Sequence, residues 1–434
     1  MKRYDLMHPW EVYGGQLEVE YRQCMEEGLC VESLRPVFDD VGALPVSEER
    51  ENMAEQLWHL IQRAPMRADF AYEEPNGYEE ILAARPQTRM ALPAADKAGL
   101  QAKIHGAWLG RVCGCLLGKP VEGMKSPEIE KLCRETGNYP LSRYMEGPEG
   151  RCFVNRLSGY MPFDDDTNYT VMACYKIIDV YGRDFTPRNV ARVWLDQQPM
   201  SAYCTAERVA FRNFVEGYFP PESAAWKNPY REWIGAQIRA DYFGYINPGD
   251  PETAAKMAWK DASISHVKNG IYGEMWAAAM IAAAAVLDDP AACIRAGMGE
   301  IPEKSRLYEA LSQVLAWYEE GVTGEDVFNR IHQRFDEYNA HDWCHTISNA
   351  MIVAASLLYG GKDFGRSICM SVETGFDTDC NGATVGSVLG MMGVEIGPEW
   401  SDPVHDTVET TLFGLQKVSI VRLAEKAMQH LRAE

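Results

Sequence analysis

Most of the chain carries apolar residues at the spacing of an α-helix. Between residues 167 and 181, for example, apolar side chains recur every three or four positions, and Gly182 follows as a stop signal. The same pattern predicts further helices at 15–27, 48–63, 188–196, 204–216, 252–262, 274–288, 305–320, 324–337, 345–359, 363–373 and 403–432. Strand-like alternation is scarce, so the pattern predicts an all-α fold without an internal repeat.

The longest apolar run extends over 13 residues, from Met275 to Leu287, and is bounded by Glu274 and Asp288. A transmembrane helix needs about 20 apolar residues, so this run is too short to cross a bilayer. It predicts a helix that is buried at the centre of the protein.

Two segments place glycines at four-residue intervals. One series is Gly106, Gly110, Gly114 and Gly118, and the other is Gly382, Gly386 and Gly390. Residues four apart share one face of a helix, where glycines let another backbone approach closely. Because a glycine inside a helix costs about 1 kcal/mol relative to alanine, the two stripes predict tightly packed helices. The pattern leaves open whether the stripes pack against each other.

Residues 1–97 differ from the remainder of the chain. They are strongly acidic, contain Trp10 and Trp58, and end in a stretch punctuated by prolines. A chain of 434 residues is long enough for one large domain and an appendage. We predict a helical N-terminal appendage at 1–97 and a helical main domain at 98–434.

Charge and cysteine usage narrow the class of protein. The formal charge of −21 disfavours nucleic acid or an anionic membrane as partner, because either would require a basic surface. The N-terminus shows no apolar segment of signal-peptide length. The 12 cysteines are scattered without a CxxC pair, which is more typical of reduced thiols than of a disulfide framework. We therefore expect a cytoplasmic protein.

Two acidic clusters far apart in the chain are the strongest candidates for chemistry. Asp164, Asp165 and Asp166 precede one predicted helix, and Asp377 and Asp379 precede another. A single aspartate before a helix is usually a cap, but three adjacent carboxylates repel one another unless a cation neutralises them. The clusters could supply oxygen ligands to one or two divalent cations, and all-oxygen ligands suit Mg²⁺ or Mn²⁺ better than Zn²⁺.

Two other segments carry side chains that bind metals or anions in proteins. In HDWCH, His341 and His345 would share a helical face beside Cys344, as zinc requires, but no Glu stands where an HExxH motif has one, which favours ordinary packing or a substrate-facing role. In SHVKNGIYGE, His266 and Gly270 belong to a loop that enters the long apolar helix. Such a loop can bind an anion through free N–H groups, and a tight turn with a packed His266 is the competing interpretation.

Three blocks of the sequence resemble the ADP-ribosylglycohydrolase family, which includes the hydrolase that removes ADP-ribose from dinitrogenase reductase and the ADP-ribosyl-acceptor hydrolases. The blocks are GAWLGRVCGCLLGKPVEG at 106–123, FDDDTNYT at 163–170 and GFDTDCNGATVGSVLG at 375–390, in the family's order. The third block is the most specific. The resemblance implies an orthogonal bundle of helices around a centre of two divalent cations, Mg²⁺ or Mn²⁺.

The resemblance also implies metal ligands. Asp165 and Asp166 match the paired aspartates of the family's first metal motif, and Asp377 and Asp379 match those of the second, with Asp379 as the bridging ligand. Asp164 stands where many members have Ser or Thr, and it is kept as a fifth candidate ligand.

The same resemblance implies a catalytic acidic residue. Glu122 falls near the family's acidic residue that contacts the metal-bound water or substrate, and Asp166 and Asp379 are the other catalytic candidates. Cys380 stands where other members place a hydroxyl ligand, and a thiol is a soft and poor partner for Mg²⁺. The candidate substrate contacts are Gly118, His266, Gly270, His341 and Asn381.

The leading hypothesis is a metal-dependent hydrolase that cleaves the glycosidic bond at ribose C1 and removes ADP-ribose from a modified protein or small molecule. The bond would break through a state with oxocarbenium character, with Glu122 or an aspartate assisting proton transfer. One alternative is a related N- or O-glycosidase that acts on a nucleoside or another small glycoside. The other is a non-catalytic ligand-binding member, against which the paired carboxylates argue.

Overall fold

Helices dominate the computed structural model, which describes residues 2–431. The α-helices are α1 (Leu17–Glu26), α2 (Arg35–Gly42), α3 (Glu48–Ile61), α4 (Tyr78–Ala84), α5 (Leu100–Gly118), α6 (Ser126–Glu135), α7 (Asp165–Met172), α8 (Asp179–Tyr181), α9 (Pro187–Gln197), α10 (Thr205–Val215), α11 (Glu222–Ala225), α12 (Asp241–Tyr245), α13 (Pro251–Ala262), α14 (Asn269–Ala284), α15 (Pro290–Met298), α16 (Arg306–Glu319), α17 (Gly324–Arg334), α18 (Ala340–Cys344), α19 (Thr346–Tyr359), α20 (Phe364–Glu373), α21 (Thr378–Met392), α22 (Pro398–Ser401) and α23 (Ile420–Gln429). A π-helical stretch, Ala173–Ile178, joins α7 to α8. The prediction of an all-α fold is confirmed.

Most predicted helices are present to within a few residues, but the prediction of one helix over 403–432 is wrong in its first half. That segment contains the short strands β1 (Thr407–Glu409) and β2 (Lys417–Ser419), and only α23 is helical at its end. Val408 lies opposite Val418, and the turn between the strands contains Gly414 at a φ of +79°. Residues 432–434 lie outside the described residues. Neither the longer helices α2, α4, α6 and α15 nor the short helices α11, α12 and α22 were predicted.

Helix α14 lies at the centre of the fold. Every residue from Asn269 to Ala284 is buried, and α13 and α15 pack against it. A helix that is apolar on all sides has to be enclosed on all sides, so the predicted central helix is confirmed. Within residues 2–431, no helix is long and apolar enough to span a membrane.

The two glycine stripes pack against each other in an antiparallel helix pair, α5 and α21. Gly110 faces Gly386 and Gly114 faces Gly382, so closely that a Cβ added at Gly114 would lie 1.9 Å from the Gly382 carbonyl oxygen. No side chain fits in this seam, which is why glycine is needed on both helices. The antiparallel register brings the end of α5 to the beginning of α21.

The N-terminal residues form a satellite of the main core. Residues 13–64 gather a separate apolar cluster around Leu17, Phe38 and Leu57, whereas Tyr78 and Ile81 of α4 belong to the main core. The boundary at residue 97 stays a prediction.

Buried ion pairs attach this satellite to the remainder of the chain. The guanidinium of Arg231 lies 2.9 Å from Glu20 and 2.6 Å from Glu27, both of which are buried. Removing one partner of a buried pair leaves an uncompensated charge, so these contacts hold α1 in a defined position.

Candidate metal centre

Three helix ends converge on the two acidic clusters. Helix α7 begins at Asp165, α21 begins at Thr378, and α5 ends at Gly118. The Thr378 hydroxyl donates a hydrogen bond to the Gly118 carbonyl (2.9 Å), and a Cβ at Gly118 would lie 2.3 Å from the Thr378 carbonyl oxygen. The glycine seam therefore determines where the second acidic motif stands relative to the segment that follows α5.

The first acidic motif is a capped helix start. Asp164 is the N-cap of α7, and its Oδ1 accepts the backbone N–H of Asp166 (3.0 Å). The other oxygen, Oδ2, lies 2.7 Å from the ammonium of Lys119. Although burial opposes ionisation, the Lys119 charge holds the pKa of Asp164 below its usual value. Asp165, next to it, is partly exposed.

The second acidic motif is held by an asparagine of a neighbouring helix. Asn349 on α19 accepts the backbone N–H of Asp377 (3.2 Å) and the side-chain N–H of Asn381 (2.8 Å) through the same oxygen. Cys380 links the two motifs, because its thiol donates to Asp166 Oδ2 at 3.2 Å. Burial and the nearby carboxylates raise the pKa of Cys380 well above its usual value, so the sulfur remains a protonated donor.

A buried arginine lies beneath the acidic residues. Nη2 of Arg111 donates to the carbonyl oxygens of Asp166 and Ile238, both at 2.6 Å. Nη1 lies 2.9 Å from Asp241 Oδ1, and all these groups are fully buried. Arg111 therefore holds the first turn of α7 to the floor of the site.

The donor set fits a divalent cation. Oxygen atoms of Glu122, Asp377 and Asp379 lie within 4.8 Å of one another. Oxygen atoms of Asp379 and Asp166 also lie within 4.8 Å of each other. Among the described residues, Asp166 Oδ1 and Asp379 Oδ1 have no hydrogen-bond partner, although their side chains are 1% and 2% exposed. Buried carboxylate oxygens without a partner are costly unless a cation binds them, and oxygen donors suit Mg²⁺ or Mn²⁺.

Electrostatics agree with this interpretation. Burial and the neighbouring carboxylates raise the pKa values of Asp166 and Asp379 well above their usual range. Glu122 lies on the solvent side of the cluster, where desolvation by the surrounding protein and the charges of Asp377 and Asp164 raise its pKa to about 7. The protein thus concentrates negative charge that a metal ion would neutralise.

The structure places the other predicted substrate contacts at different points. Gly118 and Asn381 lie at the acidic centre, where both are buried. His266 is fully buried, with Nδ1 2.8 Å from Ser265 Oγ, and it packs against Gly270. His341 contacts Glu26 of α1 and not the acidic residues of the metal centre. Substrate contact stays a prediction for all of them.

The hydrogen bonds of the HDWCH segment favour packing over zinc binding. Nδ1 of His341 accepts the indole N–H of Trp233 (3.1 Å), and Nδ1 of His345 accepts the backbone N–H of Ile347 (3.1 Å). An imidazole that accepts at Nδ1 carries its proton at Nε2, the atom that faces Glu26. Metal-bound histidines instead donate from the second nitrogen, so neither ring is in the tautomer that zinc needs.

Sequence reasoning missed three residues of the centre: Lys119, Arg111 and Asn349. Arg111 and Asn349 are polar side chains inside otherwise apolar helical stretches, and that signal could have found them. Lys119 directly follows the glycine-striped helix and gives no comparable signal by itself. Its partner Asp164 is 45 residues away in the chain.

Comparison with known proteins agrees with the geometry. A family model described as ADP-ribosylglycohydrolase matches residues 96–433. The chain belongs to the ADP-ribosylglycohydrolase family. It is therefore a hydrolase of a family that acts on ADP-ribosylated substrates and depends on divalent metals. The resemblance seen in the three sequence blocks is confirmed.

Two individual matches are distant in sequence. An uncharacterized protein of Archaeoglobus fulgidus is 24% identical over 315 residues, which cover 71% of this chain and 93% of the relative. A solved structure described as an ADP-ribosylglycohydrolase-related protein complex has a TM-score of 0.44 at 18% identity. That match covers 77% of this chain and 98% of the other, and at this similarity it carries no argument about the site.

Proposed function

We propose that this protein hydrolyses the glycosidic bond at ribose C1 of an ADP-ribosyl group carried by a protein side chain or a small molecule, with Mg²⁺ or Mn²⁺ as cofactor. The observation that carries the proposal is a pair of buried oxygens on Asp166 and Asp379, which have no hydrogen-bond partner within residues 2–431 and lie beside the solvent-facing Glu122. Family membership supplies the substrate class.

The ligands would come from both acidic motifs. Asp166, Asp377 and Asp379 would hold the cation, with Asp165 at the partly exposed edge. A divalent cation in such a place supplies Lewis acidity, which lowers the pKa of a bound water and fixes neighbouring hydroxyl groups.

The chain's own residues account for proton transfer and charge stabilisation. Because the pKa of Glu122 is raised to about 7, its carboxyl can exchange a proton near neutral pH. The surrounding carboxylates favour the positive charge that develops at the anomeric carbon. Arg151 is an exposed cation whose charge acts on Glu122, and it is a candidate to meet an anionic diphosphate.

The proposal is tested by titrating free ADP-ribose into the protein in a calorimeter, first with Mg²⁺ and then with EDTA. We expect binding that requires the metal and is lost in Asp379→Ala. Hydrolysis of ADP-ribosylated peptides and small-molecule conjugates then identifies the leaving group. If the metal binds but ADP-ribose does not, the substrate class is wrong, and nucleosides and other small glycosides are the next substrates to assay.

A further inference from the structure

The acidic centre contains an ammonium group of its own. Lys119 directly follows α5 and places Nζ 2.7 Å from Asp164 Oδ2, with 19% of its side chain exposed. The preceding residue, Gly118, is pressed against the backbone of Thr378 and Asp379. The main chain at Lys119 is thus anchored to the same helix end that carries the second acidic motif. The ammonium is a built part of the centre and not a mobile surface group.

Asp164 differs from Asp166 and Asp379 because both of its oxygens are engaged in hydrogen bonds. Oδ1 accepts the N–H of Asp166, and Oδ2 is paired with Lys119. Within residues 2–431, by contrast, Asp166 and Asp379 each keep one buried oxygen without a hydrogen-bond partner, and the Asp166 oxygen lies 3.6 Å from Arg111 Nη2. The oxygens without a hydrogen-bond donor therefore lie around Asp379, while Asp164 is in direct contact with the Lys119 ammonium.

The Asp164 side offers two candidate ligand groups, and the Lys119 ammonium contacts an oxygen of Asp164, which belongs to both. One group joins Asp164 and Asp379 to the sulfur of Cys115, and the other joins Asp164 to Asp165 and Asp166. A thiol is a soft ligand that Mg²⁺ avoids, and a divalent ion bound to Asp164 would be repelled by the adjacent ammonium. On the other side, the Cys380 thiol already donates to one oxygen of Asp166.

We propose that the Lys119 ammonium takes the place of one divalent cation, so that this chain binds a single Mg²⁺ or Mn²⁺ centred on Asp379. The inference rests on the proposed function only in requiring a metal centre. In this arrangement Asp164 is the counter-ion of Lys119 and is not a metal ligand.

The test is the number of tightly bound Mn²⁺ ions per full-length chain, measured by electron paramagnetic resonance titration and native mass spectrometry. We expect one ion in the wild type. Lys119→Met should bind two, with the altered spectrum of a coupled pair, because the second position is vacated. Lys125→Met is the matched control, since this nearby lysine packs over Trp343 and not on an aspartate, and it should bind one ion.

Each outcome decides between the alternatives. Two ions in the wild type, or one in folded Lys119→Met, would overturn the proposal. If the wild type binds no Mn²⁺, both the single-metal proposal and the metal-dependent function are contradicted. One bound ion without ADP-ribose binding would leave the inference standing and reject the substrate class.

Lys119→Met leaves the buried Asp164 without its counter-ion and could misfold for that reason. A second variant keeps the proposal testable in that case. The double variant Lys119→Met/Asp164→Ser removes both charges together and introduces a hydroxyl ligand. It should fold and bind two Mn²⁺ ions, and a single bound ion in this variant would equally overturn the proposal.

Discussion

Two clusters in this molecule bring metal-binding residue types together, and they differ in what their free atoms can do. In the acidic centre, buried oxygens of Asp166 and Asp379 have no hydrogen-bond partner among the described residues. In the histidine cluster, formed by Glu26, His341 and His345, the Nδ1 atoms accept N–H groups and the Nε2 atoms face a carboxylate. Both clusters have ligand atoms within 4.8 Å of one another, so proximity alone does not distinguish them.

The difference lies in the lone pairs that remain after hydrogen bonding. A carboxylate without a donor offers electrons to a cation, whereas an imidazole fixed in the wrong tautomer offers a proton. His341 donates this proton to Glu26 at 3.1 Å, which secures α1 to the main domain. One cluster is thus suited to chemistry and the other to packing.

The largest expected effect comes from removing the central ligand. Asp379→Ala should abolish Mn²⁺ binding and lower hydrolysis by about 10³-fold or more, because Asp379 is shared by three of the four candidate ligand groups of the acidic centre. The metal-free fold should remain intact, since the change relieves repulsion between buried carboxylates. Asp196→Ala, on the exposed face of α9, should leave metal binding and activity unchanged. Retained turnover in Asp379→Ala would refute the metal centre.

Breaking the glycine seam should damage the acidic centre but not the histidine cluster. Gly386→Ala places a Cβ 2.1 Å from the Gly110 carbonyl oxygen, so one helix must shift. We expect a loss of about 3 kcal/mol in the free energy of unfolding and weaker Mn²⁺ binding. The control is Gly42→Ala at the end of α2, where no atom lies within 4 Å of the new Cβ and stability should not fall.

Stabilisation by Mg²⁺ should grow as pH rises. The raised pKa values of Asp166 and Asp379 mean that the metal-free fold prefers the protonated forms of these two carboxyl groups. Their contribution to the stability of the metal-free fold is therefore lost as pH rises through those values. Mg²⁺ replaces these protons. We expect the increase in Tm with Mg²⁺ to be several degrees larger near pH 8 than near pH 5.5. A shift that is equal at both pH values would show that the buried carboxylates are not the ligands.

The histidine cluster should contribute nothing to metal binding. Burial lowers the pKa of His345 to about 4, so its ring stays neutral throughout. His341→Gln should cost about 1 kcal/mol of stability through its bond to Glu26 and leave the metal content unchanged. Zinc should not bind stoichiometrically to Asp379→Ala. If Asp379→Ala binds zinc and the double variant Asp379→Ala/His341→Gln does not, then His341 is a zinc ligand and the tautomer assigned to it is wrong.

Local pattern and residue type were sufficient for much of the fold and for the composition of the centre. The helical periodicity predicted α9, α10 and α13 almost to the residue, because an amphipathic helix records its buried face in its own sequence. The paired aspartates predicted an acidic metal centre, because adjacent carboxylates repel one another in any fold. The same reasoning could not predict the hairpin near the C-terminus, whose pairing depends on contacts between separate segments.

The tertiary structure decided which of these residues meet and what they do. Sequence alone could not show that the two glycine stripes pack together, because each stripe permits close approach by any backbone. It could not show that Lys119 pairs with Asp164, and it could not assign the tautomers of His341 and His345. These depend on contacts that form only in the folded chain. Residue types are local properties, whereas free lone pairs and counter-ions are properties of the assembled site.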